Sequence, residues 1–241
     1  MRIAALATDY DGTLACDGVV SPAAVDALRE LRRSGRRLLL VTGRTMQSLL
    51  GVFPNVEEFD LIVAENGATI YNPTTKTEKI LAEAPSELFL EALLERGVSP
   101  LEVGHVIVAT RECEKQPVLE TIHDLGLELQ IIFNKDSLMV LPAGQNKATG
   151  LAVAAKELGL SLQNIAGIGD AENDHSFLSA CEFSASVANA LPALKQRVHF
   201  VTPEENGKGV THLIHEILKD DLRATAPTAD ALSKCSDPSL P

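Results

Sequence analysis

Short apolar runs and segments with helical spacing alternate along the first third of the chain. Residues 2–8 form an apolar, strand-like run. Ser21-Pro22 then opens a helical pattern, with Ser at the N-cap, Pro at the first position, Val25, Leu28 and Leu31 at helical spacing, and Gly35 as the stop. Residues 36–41 read as a second strand, 45–52 as a short helix, and 61–64 as a third strand entering the turn pair Asn66-Gly67.

From about residue 80 the rhythm changes. The pattern predicts a helix over 86–96, a strand over 103–109, a helix over 114–125, and adjoining strands at 129–133 and 138–141. Only Asn134-Lys135-Asp136-Ser137 separates the last two, and a connection that short cannot cross over, so these strands must be antiparallel. Residues 147–158 restore a long helix, 165–169 a strand, and alternation continues to Lys219. The fold class is therefore α/β: a doubly wound, Rossmann-like parallel-sheet core from residues 1–79 and 145–221, interrupted by a smaller α+β domain over 80–144. Residues 222–241 are rich in Ala, Thr, Ser and Pro and are expected to be a disordered tail.

Charge narrows the function. A formal net charge of -12 with few aromatic residues leaves no basic track or stacking platform, which argues against a nucleic-acid partner. No apolar run approaches the roughly 18 to 20 residues that span a bilayer, so no membrane partner is expected and a cytoplasmic location is the default. The four cysteines show no CxxC pairing and the histidines no HExxH spacing, and neither set is assigned chemistry.

Four polar clusters sit at the ends of elements. Asp9-Tyr10-Asp11-Gly12-Thr13 follows the first strand, where residues two apart can turn two carboxylates to one side. Thr42-Gly43-Arg44 follows the second, offering a hydroxyl, an approachable backbone and a guanidinium to phosphate oxygens. Lys147 opens a helix, at the end where a cation asks for a nearby anion, and Gly169-Asp170-Ala171-Glu172-Asn173-Asp174 follows the strand at 165–169. Each alone also reads as a turn, a cap or a solvated charge. Their shared position decides, because open parallel sheets bind ligands beyond the carboxyl ends of their strands. Two like charges about 4 Å apart repel by roughly 4 kcal/mol at an effective dielectric near 20. Asp9, Asp11 and Asp170 around a phosphate would need a cation, and oxygen-only ligands suit Mg²⁺.

Taken together, DxDGT at Asp9 to Thr13, the later Thr42, Lys147 and the GDxxND stretch at Gly169 to Asp174 resemble the haloacid dehalogenase superfamily, over essentially residues 2–219. Val41-Thr42-Gly43-Arg44 and Ala64-Glu65-Asn66-Gly67-Ala68 are similar to the branch that holds Cof-type sugar phosphatases and sucrose-phosphate phosphatase, with archaeal-type phosphoglycolate phosphatase a further comparison. The resemblance implies that the inserted α+β domain over 80–144 is a cap domain, and that the chain is a Mg²⁺-dependent phosphohydrolase acting on a small phosphorylated metabolite, sugar phosphates ahead of phosphoglycolate. It implies Asp9 as nucleophile, Asp11 as acid and base, Thr42 and Lys147 on the phosphoryl oxygens, and Gly43, Arg44 and Asn173 as further phosphate or substrate contacts. The metal would take the Asp9 and Asp170 carboxylates and the Asp11 carbonyl, with Asp174 orienting a water. The alternatives are a phosphotransferase or phosphomutase of the same superfamily and, from another class, a phospho-accepting regulatory module.

Overall fold

The computed structural model describes residues 2–225. Its larger sheet has eight strands: β1 (Ala5–Thr8), β2 (Arg37–Val41), β3 (Leu61–Ala64), β4 (Thr69–Asn72), β5 (Thr77–Ile80), β10 (Ile165–Gly169), β11 (Phe183–Ser186) and β12 (Phe200–Val201). The order is β12-β11-β10-β1-β2-β3-β4-β5, parallel from β12 to β3 and antiparallel at β4 and β5. The central parallel strands β1, β2, β3 and β10 are almost wholly apolar, as strands of a parallel sheet covered on both faces are. From β1 the chain winds outward through β2 and β3, then returns on the other side through β10. Between β1 and β10 the winding therefore reverses, and the carboxyl ends of these two neighbours form the crevice of a doubly wound sheet.

The helices of this part are α1 (Pro22–Arg33), α2 (Met46–Val52), α5 (Lys147–Glu157), α6 (His175–Ala180), α7 (Pro192–Lys195) and α8 (Asn206–Asp220). Helix α1 starts as its sequence directs, with Ser21 Oγ accepting from Ala24 N and Pro22 in the first turn, and it buries Val25, Leu28 and Leu31. Among the described residues no helix is long and apolar enough to cross a membrane.

Between β5 and α5 lies a second, four-stranded antiparallel sheet, ordered β6-β7-β9-β8, from β6 (Glu102–Val103), β7 (Val108–Arg111), β8 (Leu129–Asn134) and β9 (Ser137–Pro142). Helices α3 (Glu87–Glu95) and α4 (Lys115–Asp124) pack on it around a separate apolar cluster that includes Phe89, Leu93, Val118 and Val140. The hairpin predicted at Asn134-Lys135-Asp136-Ser137 is present, with Asn134 paired to Ser137.

Three elements differ from the sequence reading. The strand expected over 103–109 is broken into β6 and β7, because the Glu65 carboxylate captures the backbone N–H groups of His105, Val106 and Ile107 and bends the chain between them. The β4–β5 hairpin, unforeseen in the polar stretch after Asn66-Gly67, widens the larger sheet. Leu222, placed in the tail by its surroundings, is buried in the main core, and Asp221 in a left-handed conformation ends α8. The rest of that tail, residues 226–241, lies outside the described residues.

Candidate active site

The expected residues other than Asn173 gather around the β1–β10 crevice. Asp9 follows β1 directly, its N–H held by the Ile168 carbonyl of β10 at 3.0 Å. Its side chain is buried, and Oδ1 accepts from Lys147 Nζ at 2.6 Å. Among the described residues no donor reaches its Oδ2. Lys147 comes from the first turn of α5, where the Asn146 side chain and Thr149 hydroxyl form a reciprocal cap, and its ammonium also reaches Asp174 Oδ1 at 2.6 Å. Burial works against the charge on Lys147, but the Asp174 and Asp9 carboxylates outweigh it and raise its pKa, so the ammonium is permanent.

Asp174 is fully buried, and its Oδ2 accepts from the N–H groups of Asp170 and Ala171 at 2.8 and 3.0 Å, closing the turn that follows β10. Asp170 stands beside it, with Oδ1 accepting from Thr13 Oγ1 at 2.9 Å. Burial, followed by the neighbouring Asp174 charge, lifts the Asp9 carboxyl well above the usual carboxylate range. Burial also raises Asp170, against the opposing pull of Lys135 and Thr13. Uncompensated negative charge is thus concentrated here.

Asp9, Asp170 and Asp174 each offer an oxygen within 4.8 Å of the others. The donor set fits a hard cation: all oxygens, one of them free on Asp9. Of the three, Asp174 is the least available, since Lys147 and two backbone N–H groups already use its oxygens. Three carboxyl groups face two ammonium groups, Lys147 and Lys135, so the acids outnumber the cations that meet them and a further cation would favour their ionised forms.

Asp11 and Arg44 are paired. Arg44 Nε and Nη2 donate to the two Asp11 oxygens at 2.6 and 2.8 Å, a bidentate fork. The arginine expected on a phosphate is therefore occupied by the carboxylate expected to move the proton. Thr42 is buried at the end of β2, its hydroxyl accepting from the Arg44 N–H at 3.1 Å. Asn173 does not reach the cleft. It donates to Asn66 Oδ1 at 3.0 Å behind Gly43, and its own Oδ1 is buried without a partner.

The cleft above these groups has a volume of about 400 Å³. Asp9, Asp11, Gly43 and Arg44 form its floor, while Thr42, Lys147, Asp170, Asp174 and Asn173 are not among its lining residues. Its roof comes from the smaller sheet, with Ile107, Ala109, Ser137 and Met139 among the residues closing it. Two contributors escaped the sequence reading. Lys135, at the tip of the β8–β9 hairpin, places Nζ 2.9 Å from Asp170 Oδ2. Glu65 fixes the loop that carries Ile107 into the roof. The polar residues His105, Arg111 and Lys115 of the segment that carries the smaller sheet do not line the cleft; His105 faces Glu78 at 3.3 Å.

Comparison with known proteins gives the family. A model of the haloacid dehalogenase-like hydrolases matches residues 6–101 and 99–214. The chain is 26% identical over 224 residues to a phosphoglycolate phosphatase of Methanothermobacter thermautotrophicus, covering 89% of this chain and 98% of that one. A haloacid dehalogenase-like hydrolase from Bacteroides thetaiotaomicron superposes with a TM-score of 0.76 at 20% identity, over 90% of this chain and all of the other. A sugar phosphatase of HAD subclass IIB gives 0.72 at 18% identity, over 88% and 98% of the two chains. With the family model spanning both halves of the large sheet and the sheet inserted between them, the chain belongs to the haloacid dehalogenase-like hydrolases.

Proposed function

We propose that this hydrolase is a Mg²⁺-dependent phosphatase of small phosphorylated metabolites that works through an aspartyl-phosphate on Asp9. The carrying observation is the state of the Asp9 carboxylate: one oxygen is pinned by Lys147 and the other is free at the floor of the cleft. A group held in one orientation with one lone pair exposed is prepared for attack.

In the first transfer, Asp9 Oδ2 forms a bond to phosphorus while the ester P–O bond breaks, and the departing oxygen takes a proton from Asp11. In the second, water adds to phosphorus, returns a proton to Asp11, and the Asp9–phosphorus bond breaks to release inorganic phosphate. Since Arg44 holds both Asp11 oxygens, that ion pair must open when substrate enters, the guanidinium turning to the phosphoryl oxygens and freeing Asp11 to carry the proton. Thr42, whose O–H has no acceptor among the described residues, and Lys147 take the other phosphoryl oxygens. Asp9 and Asp170 would hold the magnesium ion, assisted by the Asp11 carbonyl, and the ion would neutralise charge on the phosphoryl group. Asp174 acts through Lys147 and the turn it closes, and Asn173 through Asn66 and Gly43.

Both the curated relative and the structural neighbour act on small phosphate esters, named as phosphoglycolate and sugar phosphates, and the 400 Å³ cleft suits either. The test is phosphate release from phosphoglycolate, a set of sugar phosphates and an aryl phosphate, each with Mg²⁺ and with EDTA, beside Asp9→Asn. Mg²⁺-dependent release lost in the variant is the expected result. Release that persists in Asp9→Asn would remove Asp9 as nucleophile, and transfer to an added sugar in preference to water would make the protein a phosphotransferase.

A further inference from the structure

Among the described residues, Lys135 is the only cationic one that the smaller sheet contributes to the lining of the cleft. Its roof neighbours include the acids Glu102 and Asp136, and the other lining cation, Arg44, is held by Asp11 here and is the one proposed above to turn to the phosphoryl oxygens when substrate enters. It occupies one of two residues linking β8 to β9, with a left-handed backbone at φ 52°. A glycine or asparagine would adopt that conformation at less cost, so the turn itself does not call for a lysine. The side chain is half-exposed, and its ammonium reaches across the cleft to Asp170 Oδ2 and lies against Gly12, where an added Cβ would come within 2.7 Å of Nζ.

That contact balances Asp170 only while nothing else does. A divalent ion on Asp9 and Asp170 supplies the same compensation more strongly and repels the ammonium. Lys135 would then lose Asp170, the one carboxylate it contacts among the described residues, while remaining in the cleft lining. The phosphate already has Lys147 and the ion. What remains for the ammonium is a second anionic group on the ligand, held close to the phosphorus because Lys135 lies 2.9 Å from Asp170 and lines the same cleft as Asp9 and Asp11. A sugar hydroxyl would leave the charge unmatched.

We infer that Lys135 is a specificity-determining residue that selects phosphate monoesters bearing a carboxylate one or two carbons from the ester oxygen. The inference rests on the phosphatase reading for its biology, but its test does not rest on turnover. Lys135→Met and Lys135→Arg are compared with the parent protein, in Mg²⁺, for calorimetric binding of 3-phosphonopropionate and of propylphosphonate, a non-hydrolysable pair that differs in the carboxylate. The same proteins are assayed for kcat/KM on phosphoglycolate and on 2-hydroxyethyl phosphate.

Lys135→Met is expected to weaken 3-phosphonopropionate binding and kcat/KM on phosphoglycolate by about 10- to 100-fold, the range for a hydrogen bond between charged groups. The uncharged partner of each pair should change by less than about threefold, and Lys135→Arg should keep most of the preference. Equal losses on both members of a pair, no loss on either, or a parent protein that does not prefer the carboxylated phosphonate would each overturn the inference. A change in Mg²⁺ affinity alone would reduce Lys135 to a counter-charge for Asp170 and overturn it as well. If no ester is hydrolysed yet the phosphonates are discriminated through Lys135, the phosphatase reading fails and the selectivity stands.

Discussion

The Lys147 ammonium lies 2.6 Å from Asp9 Oδ1 and 2.6 Å from Asp174 Oδ1, so one cation ties the start of α5 to the ends of both central strands. With Lys147 only 1% exposed, its removal strands two buried carboxylates. Lys147→Met is expected to destabilise the metal-free protein by about 3–5 kcal/mol, the cost of breaking a buried ion pair from one side. Mg²⁺ should return part of that loss in thermal denaturation, and activity should fall by about 10² to 10³. A metal-free melting temperature equal to the parent's would mean that water reaches these carboxylates. Asp9→Asn relieves rather than strands charge, because burial and Asp174 already disfavour ionised Asp9. It should abolish turnover while leaving metal-free stability unchanged or higher.

Glu65 joins the two sheets. It is buried with φ 50°, and Oε1 accepts from His105 N at 2.9 Å while Oε2 accepts from Val106 N and Ile107 N at 2.8 and 2.9 Å. Glu65→Ala leaves three N–H groups without that acceptor and should cost about 2–4 kcal/mol. Glu65→Gln turns an NH₂ toward donors and should cost about half as much. Amide hydrogen exchange at residues 105–107 is the direct readout, since loss of the clamp must raise it at these positions before others.

How much of this could be read in advance differs by kind of contact. Asp9, Asp11, Thr42, Lys147 and Asp170 were legible because each sits where an apolar strand or helix pattern starts or stops, and the topology of a parallel sheet then carries those ends to one edge. Lys135 and Glu65 were not. Lys135 reaches a carboxylate 35 residues away in sequence, and Glu65 holds N–H groups of a loop 40 to 42 residues on, so no local period marks either. The Asp11–Arg44 fork was hidden differently: both residues were placed at the site, but only side-chain geometry shows that they neutralise each other. The β4–β5 hairpin was missed because Thr77–Ile80 is an outer strand whose polar Glu78 and Lys79 break the apolar signal.

Gly67 sets how closely the turn after β3 approaches the start of α5. Its φ is 99°, and an added Cβ would overlap the Asn146 carbonyl and press on the Lys147 N–H. Gly67→Ala therefore incurs both backbone strain and a clash with main chain that cannot rotate away, and should cost at least about 2–3 kcal/mol. Because the displaced segment carries Lys147, kcat should fall with the melting temperature. Gly51 has open space around the Cβ position, so Gly51→Ala in α2 is the control that should leave both unchanged or slightly raised.

Asp221 gives the fold a pH dependence away from the site. It stands in a left-handed conformation at the end of α8, accepts from the Arg2 backbone N–H at 3.1 Å, and pairs with Arg36 Nη2. Burial acts to raise its carboxyl, but the Arg36 and Arg2 hydrogen bonds outweigh it and hold the group below the usual carboxylate value. An acid with a depressed pKa in the folded state adds stability that is present above its unfolded pKa, about 3.9, and lost as pH falls through the folded value. Asp221→Asn keeps a residue that tolerates this backbone and removes only the charge. At pH 7 the variant should be less stable by about 1–2 kcal/mol, a melting shift of roughly 2–8 °C for a chain of this size. Below pH 4 the two melting curves should converge, and a gap that instead stays constant down to pH 2 would assign the loss to packing and not to the ion pair.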